Sequence, residues 1–181
     1  MPTRPPPEWL PSITQVEFII DEEAFIQIAN HCFDFEGTYL LRHPAPVGPP
    51  IAARIKVGKA IGIGSLWDVY QAKIYLTSSK NPQADCFDVI VKYTSCMDFD
   101  GDRYFSDDAS NVMDRKSALK AVKNDHEFYT MHLSDLQGTV IPVHYGTFIE
   151  PQLQVCCMIL EDVGTPIGKT TSLGFIDDQD K

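Results

Sequence analysis

The chain has no apolar run near the roughly 18 residues that a membrane span requires. Its first residues, MPTRPPPEWLPS, put prolines where a secretory signal would carry its apolar segment. Both absences predict an intracellular, cytoplasmic protein that meets no membrane. Positive charge is scarce: 15 Lys and Arg stand against 25 Asp and Glu, a net charge of −10. That balance repels polyanions and argues against nucleic acid and anionic membrane surfaces as partners, so any phosphate site has to be local. Cysteine occurs five times, at Cys32, Cys86, Cys96, Cys156 and Cys157, with no C-x-x-C spacing. Neither a zinc site nor a disulfide framework is predicted, and Cys156 and Cys157, inside an apolar run, read as small hydrophobes.

What is present is a chain of 181 residues, 44% hydrophobic, long enough for one domain with a core and appendages. Residues 2 to 11 contain five prolines and predict an extended start. VEFII then has strand character, and Asp21-Glu22-Glu23 can open a short helix carrying Phe25, Ile28, Ala29 and Cys32. RHPAPVGPP at 42 to 50 has four positions without an N–H, which marks a linker. We therefore expect a proline-rich extension over 1–50, a domain over 51–168 and a tail over 169–181.

The domain reads as strand, strand, strand, helix, strand, strand. AARIKVGKAIG leads to Gly62 and Gly64, and VYQAKIYLT after them alternates, with Tyr70, Ala72, Ile74 and Leu76 on one face and Val69, Gln71, Lys73 and Tyr75 on the other. That period of two excludes a Rossmann fingerprint, whose glycines open a helix, and puts the glycines at a hairpin. FDVIVKY is a third strand. DRKSALKAVKNDHEFYTMHLSDLQG has helical spacing, with Ala118, Val122, Tyr129, Leu133 and Leu136 along one side and Gly138 as its stop. TVIPVHYGTFIE and LQVCCMILEDVG complete an α+β unit: a five-stranded antiparallel sheet with one main helix.

These residues, over about 51 to 168, resemble the small N-terminal lobe of the protein-kinase-like fold. Gly62, Gly64 and Val69 match the glycine-rich loop G-x-G-x-x-G-x-V, Val89-Ile90-Val91-Lys92 matches V-A-I-K on the third strand, and Glu127 lies in the following helix as the lysine's partner does. Leu160-Glu161-Asp162-Val163-Gly164 resembles the last strand entering the hinge. The resemblance implies an ATP site built from Ile61, Gly62, Gly64, Val69, Lys92, Glu127, Glu161 and Val163, with Lys92 meeting phosphate as a point charge and the helix carboxylate holding it.

The departures bear on activity. Trp67 replaces the third glycine and Ile90 the small alanine beside the adenine, features nearer to kinase-like small-molecule phosphotransferases. No H-R-D or H-x-D catalytic loop is present, so the resemblance implies weak ATP binding, no catalytic residue, and magnesium only together with a large lobe. The alternative is a non-catalytic, pseudokinase-like module that meets protein partners through its proline-rich start or its acidic loop.

Two other motifs fail on chemistry. Asp98, Asp100 and Asp102 have calcium-loop spacing, but Arg103 and Ala109 stand where glycine and a bidentate glutamate are required. Residues 96–114 therefore read as an exposed, solvated loop. GTPIGKTT at 164 to 171 misses the P-loop spacing by one residue, and Pro166 removes a donor from the cradle.

Overall fold

The computed structural model describes residues 5–19, 24–27, 32–33, 39–40, 51–82, 85–99, 113–150, 152 and 154–164. Its strands are β1 (Gln15–Phe18), β2 (Ala24–Gln27), β3 (Cys32–Phe33), β4 (Tyr39–Leu40), β5 (Ala52–Ile63), β6 (Asp68–Leu76), β7 (Phe87–Ser95), β8 (His144–Glu150) and β9 (Val155–Glu161); the helix α1 (Arg115–Glu127) stands between β7 and β8.

The expected five-stranded antiparallel sheet is corrected. Strands β5, β6, β7, β9 and β8 do run as antiparallel neighbours in that spatial order, but the sheet continues. β2 adds antiparallel to β8, and β1 pairs antiparallel with β2 and parallel with β5, closing the sheet into a mixed barrel. The reason is the free edge of β5, whose row of N–H and C=O groups would otherwise face water. β1 takes that edge in register, Gln15 opposite Ala52 and Phe18 opposite Ile55. Ala24–Gln27 is strand where the acidic start predicted a short helix. The segments 100–112 and 165–181, which hold most of the calcium-like spacing and the GTPIGKTT motif, lie outside the described residues.

Two cores follow from the alternation of side chains across one sheet. Inside the barrel, Ala53, Ile55, Ala72, Ile74, Val89, Val91, Cys157 and Ile159 meet Leu10, Ile13, Val16 and Phe18. Residues on both sides of Ile51 thus share one interior. On the outer face, Cys156, Met158, Leu160 and the partly buried Ile90 pack against Ala118, Leu119 and Val122 of α1. Cys96 and Phe99, in a short 3-10 turn after β7, are buried in this second core, so this part of the presumed exposed loop is structural. α1 starts where the Asp114 Oδ1 accepts from the Ser117 N–H at 2.7 Å, an N-cap that holds its carboxyl below the usual range. After Glu127 the chain loosens into a π-type turn, Phe128–His132, and reverses at Gly138, whose φ is +73°.

The β5–β6 hairpin is bent by two bulges. Val57 to Ala60 spans three residues against two from Ala72 to Tyr70, and Ala60 to Gly62 spans two against one from Tyr70 to Val69. At the first of them a Cβ on Gly58 would lie 2.9 Å from the Gln71 carbonyl oxygen, whereas one on Gly62 would meet nothing nearer than 3.9 Å. Gly58→Ala is therefore expected to cost about 1–3 kcal/mol by forcing backbones apart, and Gly62→Ala to be neutral or slightly stabilising. Urea unfolding of the two variants checks this contrast.

Candidate functional site

The outer face of β7 meets α1, and there the chain places Lys92, a partly buried cation. Gly62 lies opposite Val69, Val69 opposite Lys92 and Lys92 opposite Met158, so one row crosses the glycine hairpin and the two central strands. Directly opposed residues share a face, and this face looks toward α1.

Lys92 Nζ contacts Asp125 Oδ2 at 3.0 Å, with the lysine side chain 19% exposed. The same oxygen accepts from Trp67 Nε1 at 2.8 Å, and the ammonium stands 5.1 Å from the centroid of the Trp67 ring. Trp67 is 7% exposed. The three groups form a closed set: a cation on the face of an indole, which it attracts through the ring quadrupole, and a carboxylate that takes a charge-assisted bond from both.

Glu127 is not the partner of Lys92. Its Oε1 faces Lys123 Nζ at 3.5 Å, one turn back along α1. Asp125 and Glu127 are two positions apart, about 200° around a helix, so only one of them can face the sheet. The stripe Ala118, Val122, Asp125 chooses the aspartate, seven residues beyond Ala118, whereas the sequence reading names Glu127.

The two hairpin glycines serve different needs. Gly64 is required by the turn itself: its N–H donates to the Trp67 carbonyl at 2.9 Å, and a Cβ there would lie 2.9 Å from that oxygen. Gly62 has room for a Cβ, which would make only ordinary contact with Val69 at 3.9 Å, and no positive φ; nothing in the fold demands it. The tip is held inward by Trp67 and the partly buried Leu66.

The remaining expected residues divide. Val69 is in the row. Ile61 and Val163 are exposed apolar side chains at the hairpin and after β9. Glu161 pairs with Val89, which faces the barrel interior, and its Oε2 accepts from the Val143 N–H at 3.1 Å. Its carboxylate is thus engaged on the side away from Lys92.

An imidazole cluster borders the row and went unread in the sequence. His144, opposite Leu160 on β9, stacks on Tyr129 at 5.4 Å between centroids and meets His126 edge-on at 5.8 Å. A ring nitrogen, Nε2, lies 2.8 Å from Thr147 Oγ1. Burial, then the neighbouring His126 and the Lys92 ammonium, push the imidazole down from 6.5 to about 4, so it is neutral at physiological pH.

Among the described residues no group of three or more His, Cys, Asp or Glu side chains is placed to hold a metal ion, and no helix is long and apolar enough to cross a membrane. Cys96, Cys156 and Cys157 are buried thiols outside any disulfide.

Fold and site together define a mixed, barrel-closed sheet carrying α1, with a Lys–Asp pair beneath a glycine hairpin. No family model, no curated protein and no solved structure matches the chain.

Proposed function

We propose that this chain is the ATP-binding small lobe of a protein-kinase-like phosphotransferase. The observation that carries the reading is the Lys92–Asp125 pair: a lysine on the third strand of the hairpin sheet, held by a carboxylate of the following helix, beneath glycines. That is the placement by which kinases bring a lysine to nucleotide phosphates. Gly62, which the fold does not require, leaves backbone open for close approach of a ligand. Lys92 supplies the charge, Asp125 orients it, and Ile61, Val69 and Ile90 offer apolar surface for a base.

ATP is expected to bind with a dissociation constant on the order of millimolar, roughly 4 kcal/mol. At ten times that concentration mass action raises stability by about 1.4 kcal/mol. Thermal unfolding with and without ATP tests this, with Lys92→Ala as the control. An equal shift in both proteins, or none in either, defeats the reading.

A non-catalytic interaction module is the second reading. It is favoured by the apolar side chains exposed after α1, Phe128 at 52%, Met131 at 70% and Val140 at 76%, surface of the kind found at contact sites.

A further inference from the structure

We infer that Trp67 is a self-inhibitory latch on the Lys92 site, an indole that fills the approach by which a polyphosphate group would reach the ammonium from beneath the hairpin. For its ligand this inference rests on the function proposed above; for its geometry it stands alone. Trp67 follows the hairpin turn, and its ring, 7% exposed and packed with α1 in the second core, stands with its centroid 5.1 Å from the Lys92 ammonium. An indole and a phosphate cannot both occupy that space.

The latch has two polar holds beside its packing in the second core. One is the ring under the cation; the other is the Nε1–H bond to Asp125 Oδ2 at 2.8 Å, on the oxygen that also takes Lys92. Asp125 is thereby fixed to hairpin and strand at once. Opening the site means lifting the hairpin tip, because the Gly64 N–H to Trp67 carbonyl bond ties the tryptophan backbone to the turn. The strand behind the tip can bend: two register shifts interrupt the β5–β6 ladder between Val57 and Gly62. An incoming polyphosphate competes for Lys92 and releases Trp67, while Asp125 loses one of its two donors. The same chemistry is offered by a nucleoside triphosphate and by inorganic tripolyphosphate.

The test uses the full chain with Trp9→Phe, which leaves Trp67 as the sole tryptophan of the two. Acetylation of each lysine by a neutral N-hydroxysuccinimide ester is followed by mass spectrometry. Lys73, on the exposed side in a pair with Asp88, serves as the internal reference. In Trp67→Gly the Lys92 rate is expected to rise about tenfold relative to Lys73, the scale set by losing one cation–π contact together with the cover of the ring. Trp67→Phe keeps the ring and loses the N–H, and is expected to fall between. A Lys92-to-Lys73 ratio unchanged in both variants overturns the latch. If Trp67→Gly fails to fold, Trp67→Phe decides alone: an unchanged ratio refutes, a raised one supports. ATP and tripolyphosphate are then added to the Trp67-only protein and to Trp67→Gly. Tighter binding of ATP than of tripolyphosphate by the glycine variant identifies the nucleotide as the source of the anion. No binding of either, with Lys92 unmasked, sinks the nucleotide reading and leaves the latch standing.

Discussion

A chain cut to begin at Ile51 is expected to lose cooperative unfolding, although it retains every strand of the antiparallel run from β5 to β8 and β9. Leu10, Ile13 and Val16 have no exposed surface and Phe18 only 5%; all four sit in the barrel interior. Burial of such side chains is worth about 1.5–3 kcal/mol each, so their removal costs roughly 6–12 kcal/mol, comparable with the 5–15 kcal/mol that holds a typical domain. The cut also bares the edge of β5 that β1 covers, and an unpaired edge invites association between copies. Calorimetry should show a broad, low-enthalpy transition or none, with concentration-dependent aggregation. Leu10→Ala alone should cost about 2–5 kcal/mol and give a graded version of the same result. A truncated chain that melts as sharply as the full one would show that the first strands are an appendage.

Acidification is expected to weaken the fold through His144 before most carboxylates protonate. The native imidazole titrates at about 4 against 6.5 in the unfolded chain. The unfolded state therefore binds the proton first as pH falls. The stability owed to the neutral ring is complete above pH 6.5 and is lost between there and about 4, reaching about 2.5 kcal/mol by pH 4.5 at ~1.4 kcal/mol per unit. The groups around the ring are consistent with this sign: His126 edge-on, Tyr129 stacked, Thr147 on Nε2 and the Lys92 ammonium nearby. None of these supplies a carboxylate to hold the protonated form. Urea midpoints at about pH 7.5 and 4.5 check it. His144→Gln should lose less stability than the parent over that interval, by about 2.5 kcal/mol, which separates the imidazole from carboxylates such as Asp114 that titrate in both proteins. Equal losses in parent and variant would remove His144 as the acid-sensitive group.

The row beneath the hairpin shows how far pattern reading reaches. Alternation in VYQAKIYLT and the apolar run at FDVIVKY are local, and they put Val69 and Lys92 on strands that pair in register. The identity of the lysine's partner was a matter of angle: Asp125 and Glu127 are both acidic and only two residues apart, and only continuation of the Ala118 and Val122 stripe distinguishes them. Trp67 read as bulk in place of a glycine; that its N–H would find Asp125, 58 residues onward, is a tertiary fact. His144 gave no signal, because a lone histidine at the start of a strand becomes informative only when Tyr129, His126 and Lys92 are brought to it.

The sequence by itself determined which segments from 52 to 161 are strands, where the helix starts, and that a glycine hairpin precedes a strand lysine, since each depends on side-chain periodicity, caps and turn residues a few positions apart. The tertiary structure alone decided that β1 and β2 close the sheet, that β1 runs parallel to β5, and that Trp67 and Asp125 converge on Lys92. These are pairings between distant parts of the chain. Their partners are chosen by which open edge and which apolar or charged surface remain to be covered after the local elements form, and no window of neighbouring residues carries that information.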